Sequence, residues 1–385
     1  MPNTASRLEA FNACQIREMT RFAEQRKAIN LAQGFPDFDP PHELIAAAHL
    51  ALDSGFNQYA LSWGSPRLRA ALALKQERFM GLALDPDRHI TITCGATEAM
   101  MAATLTVCDP GDKVIVFSPF YESYRADIAL SGAVSVCVQL YPPEFTFDPQ
   151  ELRKAFQAGA KALILCNPSN PTGRVFTLEE LRVICDLTHE FDAWVITDEV
   201  YEHIVYPPNR HIYVASLPEM FNRTISCGSF SKTYSVTGWR LGYVIAEEET
   251  TAGIRKVHDF LTVGAPAPLQ EAATCALSFP DEYYSQLASE YQRRRDIFTG
   301  YLRELGVLYI LPQGSYFCLA DIGSFDFVDD FEFCNWLIEK AGVAAVPGSV
   351  FFDQSITRFV RFHFSKREET LHEAGRRLLS IRQKV

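Results

Sequence analysis

Apolar residues gather in short, β-branched runs that recur through the first two thirds of the chain. Seven of these runs read as strands: ITITC from Ile90, KVIVF from Lys113, VSVCV from Val134, ALILC from Ala162, WVITD from Trp194, TISCG from Thr224 and GYVIA from Gly242. Their apolar character is near-continuous, which fits strands covered on both faces. Stretches with helical spacing lie between several of them, ATEAMMAATLTV and LEELRVICDLTHEF among them. Strands alternating with helices predict an α/β fold: a large domain with a mostly parallel seven-stranded sheet sandwiched by helices. From about Tyr283 the pattern changes. A long charged helical stretch, SEYQRRRDIFTGYLREL, precedes the strand candidates SYFCLADI and RFVRFHF, which predicts a smaller α+β domain. The turn-rich LAQGFPDFDPP near residue 31 is expected to cross between the two. The division this gives is an N-terminal segment over residues 1–44 that joins the small domain, a large domain over 45–280 and a small domain over 281–385.

Bulk properties narrow the function classes. A chain of 385 residues suits two domains, at roughly 100–200 residues each. The formal net charge of −11 argues against a nucleic-acid or membrane-surface partner, since phosphate binding wants a basic face. An anionic small ligand must then be held by a few local arginines. None of the 10 cysteines forms a C-x-x-C pair, so zinc-ribbon and thioredoxin readings fall away and free thiols in a reducing compartment are expected. The polar N-terminus lacks the apolar core of a signal peptide, and no apolar run reaches the roughly 18 residues of a membrane span. A cytoplasmic enzyme is the expectation, with no metal site.

In open α/β sheets ligands bind beyond the carboxyl ends of the strands, so the residues that follow each run come first. ITITC leads to Gly95-Ala96-Thr97 and a helix, whose free N–H groups and dipole favour an anion. An ordinary strand-to-helix turn has the same residues. ALILC leads to Asn167-Pro168-Ser169-Asn170-Pro171-Thr172-Gly173, where two Asn-Pro steps enforce a fixed turn and hold a side-chain amide toward a ligand. WVIT closes on Asp198-Glu199, with Tyr201 behind. A carboxylate ending an apolar strand either caps a helix or meets a positive charge on a ligand. TISCG leads to Ser229-Phe230-Ser231-Lys232 and then Thr237-Gly238-Trp239-Arg240. A lysine at the mouth of a sheet is a candidate Schiff-base former, because its compact amine loses its proton readily when desolvated. Ser229 and Arg240 beside it suit a phosphate. In RFVRFHFS, alternation predicts a strand with one polar face carrying Arg361 and His363, where a guanidinium either clamps a carboxylate or sits solvated.

In order and spacing these stretches resemble the class I/II aminotransferases, the fold-type-I pyridoxal-phosphate enzymes. NPSNPTG, TDEVYEHIVY, SFSKTYSVTGWRLGY and FVRFHF carry the resemblance, which runs from about LAQGFPDF to the RFHF strand. It implies pyridoxal 5'-phosphate linked covalently to Lys232, Asp198 against the ring nitrogen, Asn170 and Tyr201 at the ring hydroxyl, and Tyr121 stacked on the ring. Ala96, Thr97, Ser229 and Arg240 would bind the phosphate. Tyr59 would reach the phosphate of a neighbouring subunit, which implies a homodimer with shared active sites. Arg361 would take the substrate α-carboxylate, with Asn170 beside it and Gly34 where the N-terminal segment closes over the substrate. Within the family the stretches QGFPDF, LSWG, GSYFCLADI and VAAVPGSVFF resemble the kynurenine, glutamine and methionine aminotransferase branch more than the aspartate branch.

The expected activity is ping-pong transfer of an amino group from an L-amino acid to a 2-oxo acid. Apolar and aromatic residues at the presumed substrate side, Phe35, Trp63 and Tyr316, favour a neutral or aromatic side chain, and no second arginine for a side-chain carboxylate stands out. A carbon–sulfur β-lyase on the same scaffold and an aspartate-type aminotransferase are the alternatives. A Rossmann oxidoreductase is excluded, since no G-x-G-x-x-G follows a strand.

Overall fold

The computed structural model describes residues 3–381. All seven runs form strands, and an eighth, two residues long, hairpins onto the edge. In chain order they are β1 (Ile90–Thr93), β2 (Lys113–Ser118), β3 (Val134–Tyr141), β4 (Thr146–Phe147), β5 (Ala160–Cys166), β6 (Trp194–Asp198), β7 (Thr224–Ser229) and β8 (Gly242–Ile245). They lie in the order β1-β8-β7-β6-β5-β2-β3-β4. β2, β3, β5, β6 and β7 pair in parallel, while β8 runs antiparallel to both β1 and β7. The carboxyl ends of β1, β2, β5, β6 and β7 therefore share one edge of the sheet. Burial follows the sequence pattern: every residue of β1, β7 and β8 is buried, while β3, next to the edge, is only partly so.

The helices are stopped where their sequences say they should be. The helix Leu178–Glu190 starts in a capping box, with Thr177 and Glu180 each bonding the other's backbone. The 25-residue helix Asp281–Leu305 ends at Gly306, which takes the left-handed conformation at φ 84°. Among the described residues no helix is long and apolar enough to cross a membrane. All ten cysteines are free thiols.

A second, antiparallel sheet follows the long helix. Its strands are β9 (Leu308–Tyr309), β10 (Phe317–Asp321), β11 (Val346–Pro347) and β12 (Phe359–His363), ordered β9-β10-β12-β11. The N-terminal segment is stitched to this side of the molecule. Ile29–Asn30 pairs in parallel with Val343–Ala344, and the His363 N–H donates to the Leu31 carbonyl at 2.9 Å. The helix Gln15–Gln25 packs Ile16, Met19 and Ala23 into the same core as Phe298, Leu337 and Phe362. The LAQGFPDF stretch thereby passes across the carboxyl edge of the large sheet.

The expected polar face of β12 does not reach solvent. All five of its residues are buried, because the N-terminal segment covers the side that a lone sheet would leave wet. Only Arg358, just before the strand, is a solvated arginine, and it pairs with Asp321.

Candidate active site

Between the carboxyl edge of the large sheet and β12 lies a cavity of about 460 Å³. Gly34, Ala96, Thr97, Tyr121, Asn170, Asp198, Tyr201, Ser229, Lys232, Arg240 and Arg361 all line it. Tyr59 does not. Its side chain is 90% exposed, on a loop beside Gly264–Pro268.

At one end the backbone makes an anion cradle. Gly95 precedes the helix Ala96–Val107 with φ 81° and ψ 169°, a conformation open essentially only to glycine. A Cβ there would fall 2.4 Å from Arg240 Nη2, so the guanidinium packs directly over the bare Cα. A Cβ on Gly242 would lie 2.4 Å from the Gly95 carbonyl carbon, so β8 also closes against this turn. The Ser229 hydroxyl donates to the Leu241 carbonyl at 3.0 Å and accepts from the Ser231 N–H at 3.0 Å. The Ser231 hydroxyl is buried and has no partner. Free helix N–H groups, a guanidinium and an unused hydroxyl together form an anion site.

Lys232 stands on a single helical turn, Phe230–Thr233, thrown out by the end of β7. Its Nζ lies 3.5 Å from the Gly34 carbonyl, at the limit of a hydrogen bond, and 5.7 Å from the centre of the Tyr316 ring. Burial draws its amine down to about 8, against the upward pull of Tyr121 and Asp198. Across the cavity Asp198 ends β6 with a side chain that no lysine, arginine or histidine pairs among the described residues. Burial pushes its carboxyl up, and the Tyr124 hydroxyl, donating at 2.7 Å, holds it partly down. Beneath it Asp127 is raised to about 8, by burial and by the Asp198 charge.

Arg361 is 1% exposed, without a carboxylate partner. Nη1 donates to the Asn170 side-chain oxygen at 2.7 Å and Nη2 to the Ala32 carbonyl at 3.0 Å, while Nε has no partner. The guanidinium is sandwiched 4.2 Å from the Phe317 ring centre and 4.5 Å from that of Phe351, and burial lowers it to about 10. Burying an unpaired cation costs several kcal/mol, so this geometry favours an incoming carboxylate. Gly34 closes this end: Tyr316 donates to its carbonyl at 2.8 Å, and a Cβ would meet the Tyr316 ring at 2.7 Å. Tyr201 packs edge-on against Tyr316 at 5.1 Å, and Tyr121 edge-on against Tyr124 at 5.8 Å.

Sequence reasoning missed Tyr124, Asp127, Ser231 and Arg17, all of which line the same cavity. Ser231 stands inside SFSK, and Tyr124 follows Tyr121 at helical spacing, so both were within reach. Arg17, which lies 150 residues before NPSNPTG and outside every motif, gave no signal. Trp63, expected at the pocket, is not part of the cavity wall: the Arg255 guanidinium stacks on it at 4.2 Å and holds it on the far side of β1.

The family described as Aminotransferase class I and II matches residues 26–378. The chain belongs to that family. It is a transaminase acting on amino acids, and its cofactor is pyridoxal phosphate. A methionine aminotransferase of Escherichia coli is 40% identical over 378 residues, which cover 98% of each chain. The structure of N-succinyldiaminopimelate aminotransferase from Mycobacterium tuberculosis matches with a TM-score of 0.95 at 39% identity, covering 98% of this chain and 100% of that one. Human kynurenine–oxoglutarate transaminase 1 is 34% identical, covering 97% of each chain. The aminotransferase cavity fits the cofactor on its own terms. It has an anion cradle with an orphaned hydroxyl, an unpaired buried carboxylate suited to a cationic ring nitrogen, and a half-buried lysine between them.

Proposed function

We propose that this aminotransferase moves the amino group of an L-amino acid with a neutral or aromatic side chain to a 2-oxo acid, by a ping-pong route, with Lys232 as its cofactor-bearing lysine. The observation that supports this most is that two lone buried charges, Asp198 and Arg361, line the same cavity as a lysine whose amine is drawn down to about 8. Each is costly without a partner of opposite sign, and a pyridine ring and an α-carboxylate bring those partners.

When bound, pyridoxal phosphate supplies an electron sink for a carbanion at the substrate Cα. Asp198 would keep a proton on the ring nitrogen, itself positioned by the Tyr124 hydroxyl. Lys232 would carry the α-proton as general base, its amine brought down toward physiological pH by burial. Arg361 would grip the α-carboxylate with its free edge, Asn170 fixing the other, and so aim the Cα–H bond at Lys232. Ala96, Thr97, Ser229 and Arg240 would hold the phosphate. Asn170 and Tyr201 would hold the ring hydroxyl, Tyr121 would cover the ring, and Gly34 would close over the substrate. The division into residues 1–44, 45–280 and 281–385 belongs to this reading, with Asp198 and Lys232 on the middle part and Arg361 on the last.

A homodimer is part of the same proposal. Tyr59 (90% exposed) on a loop beside Gly264, Phe260 (94%) in the last turn of the helix Glu248–Leu261 and Val263 (54%) just after it form an apolar group that solvent alone does not account for. For the donor, Phe35 and Phe317 line the cavity, and among the described residues lining it the only buried arginine or lysine besides the half-buried Lys232 is Arg361, which favours methionine-like and aromatic side chains. The names of the relatives, methionine and kynurenine aminotransferases, point the same way. With one common acceptor, kcat/KM is expected to be higher for methionine, phenylalanine and kynurenine than for aspartate. A series led by aspartate would overturn the neutral-donor reading while leaving the cofactor residues untouched.

A further inference from the structure

Four cations line the cavity, Arg17, Lys232, Arg240 and Arg361, against two carboxylates, Asp127 and Asp198, in a chain of net charge −11. Three have work in the reading above: Lys232 with the cofactor, Arg240 with the phosphate, Arg361 with the α-carboxylate. Arg17 does not. It is exposed and makes no ion pair among the described residues. Glu122 accepts from the Cys14 thiol at 2.6 Å and from the Gln15 N–H at 3.4 Å, and Glu18 pairs with Arg21.

Nor is Arg17 on a loose tail. It lies in the first turn of the helix Gln15–Gln25, whose other face buries Ile16 and Met19. Three residues on, and so on the same side of the helix, Thr20 donates to the Gln33 side-chain oxygen at 3.1 Å and accepts from Asn30 Nδ2 at 3.3 Å. Gln33 adjoins Gly34, and both line the cavity. The helix therefore presents Arg17 at the mouth, above the segment that closes the substrate end.

We propose that Arg17 receives the distal carboxylate of a dicarboxylic 2-oxo acid, and so sets the preferred acceptor. This rests on Arg361 holding the α-carboxylate. A ping-pong enzyme must admit donor and acceptor to one pocket in turn. A buried second cation would punish a neutral donor, since it would stay desolvated and unpaired. An exposed guanidinium at the mouth keeps its water when a neutral side chain fills the apolar wall, and exchanges that water for a carboxylate when a longer, doubly charged acid is bound. The position thus reconciles an apolar donor site with an acidic acceptor.

The test compares 2-oxoglutarate with pyruvate as acceptor, methionine being the common donor, in wild type, Arg17→Gln, Arg17→Lys and Arg361→Ala, each loaded with cofactor. In Arg17→Gln the ratio of kcat/KM for 2-oxoglutarate over pyruvate is expected to fall about tenfold or more, the size of a lost charge contact at a partly wet site. Arg17→Lys should restore much of it. In wild type that ratio should also decline with added salt, because an exposed contact is screened. A ratio unchanged by Arg17→Gln overturns the inference. Arg361→Ala keeps the two failures apart: it should depress both acceptors, and if it depresses neither, the reading of Arg361 is what has failed.

Discussion

At the scale of single residues, the chemistry of the site is set by what burial does to three charges. Lys232 is drawn to about 8 from the usual 10.5 because the ammonium form loses its water, with Arg240 and Arg361 adding to the fall. The neutral, nucleophilic amine therefore grows in as pH passes upward through about 8, where an ordinary lysine would need pH above 10. The rate at which cofactor-free protein links pyridoxal phosphate covalently should rise with pH and level off above about 8. A rate that keeps climbing toward 10.5 would mean that the lysine is not desolvated in solution. Asp198 and Arg361 are the other two, each held without an ionic partner by neighbours that are themselves fixed, Tyr124 in one case and Asn170 in the other. Lys232, Asp198 and Asn170 were legible because each follows a recognisable apolar run at a strand's end. Arg17 was not, since its importance depends on which distant residues the fold sets beside it.

At the scale of elements, the turn from β1 into its helix shows how backbone conformation and side-chain chemistry are joined. Gly95 sits at φ 81° and ψ 169°, and Arg240 occupies the space where a Cβ would be. Gly95→Ala therefore carries two penalties, a backbone strain on the order of 1–3 kcal/mol and the displacement of Arg240 from the helix N-terminus. Weaker retention of pyridoxal phosphate and a lower Tm are both expected, read by titration of the cofactor absorbance and by thermal unfolding. A variant with unchanged cofactor affinity would show that Arg240 is not held by this contact. The strands that β-branched runs announced are all present, and their near-continuous apolar character matches their burial on both faces except in β3, next to the sheet edge. The alternation in RFVRFHF misled for a physical reason. A period of two reports polarity, but cannot say whether the polar side meets water or another segment, and here the segment around Leu31–Ala32 covers it. The two-residue β4 is too short to leave any pattern at all.

At the scale of the whole molecule, the cavity exists because two sheets and a crossing N-terminal segment meet. β6 and β7 supply Asp198 and Lys232, β12 supplies Arg361, and the segment pinned by Ile29–Asn30 to Val343–Ala344 supplies Gly34. In the proposed homodimer the exposed Tyr59 and its apolar neighbours would meet a second copy. Sedimentation at micromolar concentration should then give about 87 kDa, twice the 43.3 kDa chain, and a single species of chain mass would remove Tyr59 from any shared site. Two layers of helices around a parallel sheet could be read from the sequence in advance, but the packing of the N-terminal helix against the second sheet could not, because its contacts are separated by some 300 residues. The central claim is that all these parts converge on one lysine, and it can be tested directly. The holoenzyme is reduced with borohydride, digested and mapped by mass spectrometry: the account predicts a pyridoxyl group on the peptide containing Lys232, and a label on any other lysine would contradict it.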